Sequence, residues 1–473
     1  MITWRVPALV VVVGLGAVVA AGALDGPLWT WLLAGTAGVA VLVLLDLLVA
    51  APPAEVALHR EGRAEVRLTE SATVTLHVTN TSVRTLRAWV RDAWVPSAGA
   101  SGPYAHELTL DPGESAAIET VLTPTRRGDR PAVRVTIRSY GPLGLAFRQT
   151  SRRRSDQLTP PWTLRALPEF RSRRLLPEKL SRLRIIDGQV VTRGRGQGSE
   201  FDSLREYVLG DDPRAIDWRA SARQQHLVTK QYRPERDRRV LCVLDTGRTS
   251  AVRIATGWTG ATPDEGSDGT GSRGDQPAPI TGESEATGEP RLDLAIDAAL
   301  LLASVAAHAG DRVDLLAIDT QTHVNVTAAH TRQLHRVLQS LATVHPSLVE
   351  TDFGRVVAEV LGSERKRALV VLFTTLDPGA LGEGLLPVLP SLVSRHQVVV
   401  AAVHDPALDA LAAQRDGAAA VHIAAAAERG LAELRRVRQA LTRYGVSVVD
   451  EPAARFASAV TDRYLDLKAA GRL

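Results

Sequence analysis

The residues best placed to do chemistry lie where one apolar run ends. Arg239-Val240-Leu241-Cys242-Val243-Leu244 closes on Asp245-Thr246-Gly247-Arg248-Thr249. A carboxylate and hydroxyls in one loop are hard oxygen donors, the kind Mg²⁺ takes while keeping several waters. A cation held there leaves a position that a partner's carboxylate can complete. The alternative is a hydrolase in which Asp245 and a Mg²⁺-bound water do the work. The loop contains no histidine, and neither His226 nor His404, the nearer candidates, sits in a visible nucleophile–base arrangement. Binding is therefore the expected role, not catalysis.

A second stretch, Gly194 to Glu235, is dense in charge with apolar residues interspersed. Arg205, Glu206, Asp211, Arg214, Asp217, Arg219 and Arg223 can form an ion-pair network around Tyr207, Ile216 and Trp218. Gly210-Asp211 supplies a turn, and Asp212 before Pro213 predicts a helix start, with a capping acceptor and proline in the first turn. The segment is either a rigid connector packed on the domain that follows or a surface for a partner or anionic ligand.

Other chemistries find little support. The single cysteine, Cys242, excludes an intramolecular disulfide, which fits a reducing compartment, and its apolar setting predicts a small buried hydrophobe. No cysteine–histidine cluster has zinc spacing, and no glycine loop of phosphate-binding type is present. The basic residues are not interleaved with aromatics as nucleic-acid binding favours, so nucleic acid is not an expected partner.

The positioning elements come in three kinds. Val6 to Leu24 and Leu28 to Ala50 are apolar except for Asp46, each about 19–23 residues, long enough to cross a bilayer as a helix. Arg5 precedes the pair, Asp25 lies between, and Arg60 and Arg63 follow. The positive-inside rule then places both ends in the cytoplasm. Asp46 sits near the inner end of its helix, where reaching the interface costs little. Residues 1–52 are thus expected to form a transmembrane hairpin in the inner membrane, with the lipid bilayer as a partner. From 53 to 168 the pattern has period two, as in Val74-Thr75-Leu76-His77-Val78 and Ala132 to Ile137, with turn-formers between the runs. This predicts an antiparallel β-sandwich, immunoglobulin-like in outline. Residues 169–236 hold the charged signature segment. From 237 to 473 buried-strand runs alternate with helical periodicity, a doubly wound α/β pattern whose ligands sit at the carboxyl ends of the strands. The insertion 257–290 has seven acidic residues against one arginine and too little apolar surface to order itself.

The signature segment resembles that of the domain of unknown function 58 family of bacterial proteins. The shared runs are Phe201-x-x-Leu204-Arg205-Glu206-Tyr207, then Gly210-Asp211-Asp212-x-Arg214-x-Ile216-Asp217-Trp218, then Ser221-Ala222-Arg223. Gly141-Pro142-Leu143-Gly144-Leu145 and the C-terminal Asp462-Arg463-Tyr464-Leu465-Asp466-Leu467-Lys468 are also similar to family phrases. The resemblance implies a membrane hairpin, a β-domain and a von Willebrand A-like domain whose adhesion motif, Asp-x-Ser-x-Ser, is degenerate here. Asp245 and Thr249 fit the motif, while Gly247 replaces a serine. The resemblance assigns the motif's second-loop threonine to Thr351, and the next loop position to Thr375, with Asp377 two residues late. The loop is then either a relic in a metal-free fold or a weak Mg²⁺ site at Asp245, Thr249 and Thr351. The resemblance also implies a MoxR-type AAA+ ATPase as partner, beside other envelope proteins, in assembling or maturing protein complexes.

Overall fold

The computed structural model describes residues 2–23, 26–190, 200–208, 216–233, 238–254, 288–329, 334–415 and 417–473. Contacts divide the chain into two units, Met1–Glu169 and Phe170–Leu473.

The first unit opens with two helices, α1 (Arg5–Ala23) and α2 (Leu28–Val49), both long and apolar enough to cross a membrane. Their large side chains point outward: Leu15 is 72% exposed and Val11 68%. Asp25, which the charge pattern places between them, lies outside the described residues. Asp46, in the last turn of α2, is buried. Its carboxylate accepts backbone N–H bonds from Leu143 (2.7 Å), Leu145 (2.7 Å) and Ala146 (2.9 Å). An acid near a helix C-terminus opposes the helix dipole, and these three donors offset that cost. Gly141 is required beside it, because a Cβ there would overlap the Asp46 carboxylate.

Ten strands follow: β1 (Val56–Gly62), β2 (Glu65–Arg67), β3 (Ala72–Asn80), β4 (Leu86–Trp94), β5 (Ala100–Ser101), β6 (His106–Leu110), β7 (Ser115–Leu122), β8 (Gly128–Tyr140), β9 (Phe147–Gln149) and β10 (Thr163–Leu167), with helix α3 (Arg152–Leu158) before the last. They form two sheets, β1-β3-β7-β5 and β2-β10-β8-β4-β6, with β9 on β8. Pairing is antiparallel as the sequence predicts, except that β10 runs parallel to β2. Leu76, Val78, Val90, Ile118 and Ile137 fill the core, the inward half of the period-two pattern. Arg60, one of the flanking arginines of the charge pattern, is buried here, paired with Asp92 at 2.6 Å.

In the second unit, α4 (Leu176–Val190) precedes a two-stranded pair, β11 (Glu200–Glu206) and β12 (Val228–Arg233), with α5 (Trp218–Gln224) between them. A six-stranded sheet follows. The elements of this region in chain order are β13 (Arg239–Asp245), β14 (Arg253–Ile254), β15 (Glu289–Pro290), α6 (Arg291–His308), β16 (Arg312–Ile318), β17 (Thr322–Ala329), α7 (Leu334–Ala342), α8 (Phe353–Ser363), β18 (Leu369–Phe373), α9 (Leu389–Val393), β19 (Gln397–His404), α10 (Pro406–Ala413), α11 (Ala418–Arg443), β20 (Ser447–Pro452) and α12 (Ala453–Ala469), with β14 and β15 forming a separate two-stranded pair. The sheet order is β17-β16-β13-β18-β19-β20, parallel except for the edge strand β17. Both faces are covered. Val240, Cys242 and Leu244 of β13 pack with α6 and α12, while Leu241 and Val243 pack with α8 and α11. That is why the strand reads as one continuous apolar run. Cys242 is fully buried, and burial, with Asp314 nearby, pushes its thiol up to about 12. Residues 255–287, most of the acidic insertion, lie outside the described residues, but its last residues return as β15, paired with β14.

Candidate functional site

Strand order reverses between β13 and β18, and in doubly wound sheets the crevice at such a switch point is the ligand position. Asp245 ends β13 there, 4% exposed. Its Oδ1 accepts from the Gly247 N–H (2.9 Å) and from the Thr351 hydroxyl, and its Oδ2 accepts from Thr374 Oγ1 (2.6 Å). Burial pushes the Asp245 carboxyl upward against those donors, and the charge of Asp319 adds to the rise.

Thr351 therefore reaches Asp245. Thr249 lines a cavity of about 10 Å³ beside Asp245, but no hydrogen bond joins the two. That volume holds about one water. Thr375 and Arg291 line the same cavity, and Thr375 Oγ1 and Arg291 Nε are buried there without a hydrogen-bond partner. It is Thr374, not Thr375, that bonds the aspartate. Asp377 instead accepts the Ala380 N–H at 2.9 Å and caps the turn that follows.

Gly247 does more than omit a ligand. A Cβ at this position would overlap Thr351 Oγ1 and lie 3.0 Å from the Val349 carbonyl oxygen. Thr351 fills the space a serine side chain would need. Gly247→Ser is accordingly expected to displace Thr351 from Asp245 and destabilise the domain by about 1–3 kcal/mol. In urea unfolding, a Gly247→Ser/Thr351→Ala double variant should lose clearly less than the two single variants summed. Additive losses would show that the two positions do not compete.

One strand over, Asp319 follows β16 as Asp245 closes β13. Its Oδ2 accepts from Thr246 Oγ1 (3.0 Å), His323 Nε2 (2.7 Å) and the Ser347 hydroxyl, and its Oδ1 from the Gln321 N–H (2.8 Å). Burial alone would raise its pKa, but the hydrogen bonds from Ser347, Gln321, His323 and Thr246 outweigh it and hold the carboxyl well below the usual range. A depressed carboxyl adds stability above its unfolded pKa and loses it as pH falls toward the folded one. Stability should thus decline as pH drops below about 4, and Asp319→Asn should flatten that decline while lowering stability at pH 7. An unchanged acid limb in the variant would contradict this assignment.

In the signature segment, Arg205 and Glu206 end β11, and Tyr207 follows with its N–H on the Leu227 carbonyl at 2.8 Å. The helix start is at Asp217, whose Oδ1 accepts from Arg219 N (3.1 Å) and Ala220 N (3.0 Å). Trp218 is 68% exposed, and Arg223 is exposed on the same short helix α5. Ser221 ties that helix to β12, accepting the Val228 N–H at 2.9 Å. Gly210, Asp211, Asp212 and Arg214, and with them the Asp212-Pro213 helix start, lie outside the described residues.

The C-terminal region matches a known family model. The family is described as protein of unknown function DUF58, and the matched residues are 203–256 and 282–446. They take in Asp245, Thr249, Thr351 and the signature residues from Leu204 onward. No curated protein matches the chain. Solved structures similar to part of it include the CARDB domain of a Pyrococcus furiosus protein (13% identity, 24% of this chain, 87% of that one, TM-score 0.18). Others are a FixG-related protein from Vibrio parahaemolyticus (9%, 24% and 96%, 0.16) and the PKD domain of an M14-like peptidase from a Thermoplasmatales archaeon (11%, 20% and 88%, 0.14).

Sequence reasoning passed over Asp319, Ser347, Thr374 and Arg291. Asp319 carries the signal that revealed Asp245, an aspartate directly after an apolar run. Nothing local marks the other three, because their partners come from separate crossovers.

Proposed function

We propose that this chain is a membrane-anchored binding protein of the bacterial inner membrane. In this reading α1 and α2 span the bilayer and the soluble parts face the cytoplasm. The α/β domain is of von Willebrand A type and offers its strand-end face to a MoxR-type AAA+ ATPase, in assembly or maturation of protein complexes. The outward apolar surface of the two helices supports the anchor. The sheet order, with its single antiparallel edge strand, supports the domain type.

The observation that carries binding over catalysis is the state of Asp245. Both of its oxygens are occupied by hydrogen bonds from Gly247, Thr351 and Thr374, which supports a positioning role for this buried carboxylate at the strand end. The donor types around it are those of a hard cation, though only one carboxylate is among them, so the fit to Mg²⁺ is weak. Asp245, Thr249 and Thr351 would hold the ion, which when bound supplies a coordination position for a partner's carboxylate. The exposed Trp218 and Arg223 of the signature segment offer a second contact area on the same unit.

The test is co-purification with the ATPase from membranes, with and without Mg²⁺. Recovery of the ATPase, lost on Asp245→Ala, is expected. Equal recovery by the variant, or a chelator-sensitive hydrolase activity abolished by Asp245→Ala, would overturn the binding reading.

A further inference from the structure

The termini of the two apolar helices and one end of the β-domain are built into each other. Asp46 of α2 takes three N–H bonds from the loop 141–146. At the start of the other helix, the N–H and hydroxyl of Thr3, just before α1, bond the carbonyls of Leu145 (2.9 Å) and Gly144 (2.8 Å), and Arg5 Nη1 bonds that of Leu143 (3.3 Å). Arg84 donates to the Leu48 carbonyl, and Arg87 Nη1 to that of Pro142 (3.1 Å). Every one of these groups lies at the end of the sandwich where β3 leads into β4 and β8 into β9.

The same end carries large apolar side chains that cover nothing. Val83 is 89% exposed, Trp4 79% and Leu143 51%. They stand among Arg5, Arg84 and Arg87, whose side chains are also exposed. Each arginine spends one bond on a carbonyl and keeps other donors, since a guanidinium has five N–H groups. An amphipathic tryptophan beside arginines at the mouth of two apolar helices is the composition of a membrane–water interface.

We infer that this end of the β-domain is a lipid-contact surface. Trp4, Val83 and Leu143 enter the headgroup layer of the leaflet from which both helices emerge, and Arg5, Arg84 and Arg87 bond the phosphates of anionic lipids. The occupant is lipid because the patch sits at the ends of the two apolar helices, with Trp4 directly before α1 and Arg84 on the carbonyl of Leu48 in the last turn of α2. The inference rests on the membrane-anchor reading and adds to it that the β-domain lies on the bilayer and does not swing on a linker.

Site-directed spin labelling tests it in the full-length protein, reconstituted into vesicles of phosphatidylethanolamine and phosphatidylglycerol. The native Cys242 is fully buried, so single cysteines introduced as Leu15→Cys, Val83→Cys, Leu143→Cys and Tyr104→Cys take the label selectively. Tyr104 is 79% exposed near the opposite end of the sandwich. The ratio of oxygen to water-soluble nickel collisions should be highest at 15, several-fold above Tyr104 at 83 and 143, and lowest at 104. Arg84→Gln/Arg87→Gln should lower the ratio at 83 in these vesicles. Ratios at 83 and 143 equal to that at 104, with 15 still lipid-like, would overturn the surface and leave the anchor standing. A water-like ratio at 15 would overturn the anchor, and the surface with it. Unchanged ratios in the double arginine variant would overturn the phosphate contacts.

Discussion

Asp46→Ala is expected to cost about 3–5 kcal/mol and to release the loop 141–146 from α2. The three N–H groups of Leu143, Leu145 and Ala146 lose their acceptor at once, and a buried unsatisfied donor costs about 1–3 kcal/mol. Water can reach part of this rim, which keeps the total below the simple sum. Asp46→Asn should be milder. Its amide oxygen, placed at Oδ2, still serves Leu145 and Ala146, so only the Leu143 bond turns repulsive. Thermal unfolding in detergent, followed by circular dichroism, should rank wild type above Asn above Ala. Trypsin cleavage at Arg84 and Arg87 should speed up in the same order, because both arginines are pinned to the helices or to that loop. An Ala variant that melts with the wild type would remove the clamp from the account of this fold.

Asp46 shows what a sequence can and cannot reveal. Hydropathy marks it as an exception near the end of an apolar run, but its partners lie about a hundred residues further on, and no periodicity points to them. Asp245 was legible for the opposite reason. A strand buried on both faces needs an unbroken apolar run, so the first carboxylate after that run must mark the strand's carboxyl end. The same logic exposes Asp319. It fails at the next loop, where Thr374 and Thr375 are adjacent and line the same cavity, so one residue decides which hydroxyl meets Asp245. It fails also for β17, whose polar alternation in Thr322-His323-Val324-Asn325-Val326 belongs to an edge strand and looks unlike the central runs.

The closing run Asp462 to Lys468 has a physical reason for its spacing. Tyr464 and Lys468 are four residues apart on α12 and both reach Asp311. Tyr464 Oη donates to Asp311 Oδ2 at 2.6 Å, and Lys468 Nζ lies 3.2 Å from each carboxylate oxygen. Asp462 and Asp466, also four apart, turn toward α4. Lys179 Nζ and Arg182 Nη1 bond Asp462 at 2.9 and 2.7 Å, and Arg182 Nη2 bonds Asp466 at 2.5 Å. One helix thus fastens α4 to the domain and anchors the turn after α6, where Gly310 takes φ +76°.

The two attachments differ in exposure, and exposure decides which matters more. Arg182 and Asp466 are half open to solvent, so their pair contributes at most about 1 kcal/mol. Asp311 and Lys468 are 1% and 2% exposed. Asp311→Ala takes the carboxylate away from a buried ammonium and a buried hydroxyl, and removing one partner of such a pair costs about 3–5 kcal/mol. Asp311→Ala/Lys468→Met removes both charges, and because methionine fills the stem volume of lysine it should recover most of that loss. The coupling between the two sites then exceeds about 1 kcal/mol. Urea titrations of the full chain in detergent, read by far-ultraviolet circular dichroism, give both numbers. Asp311→Ala within about 1 kcal/mol of wild type, or a double variant no more stable than the single one, would show that α12 is held by apolar packing against α6 and not by this buried pair.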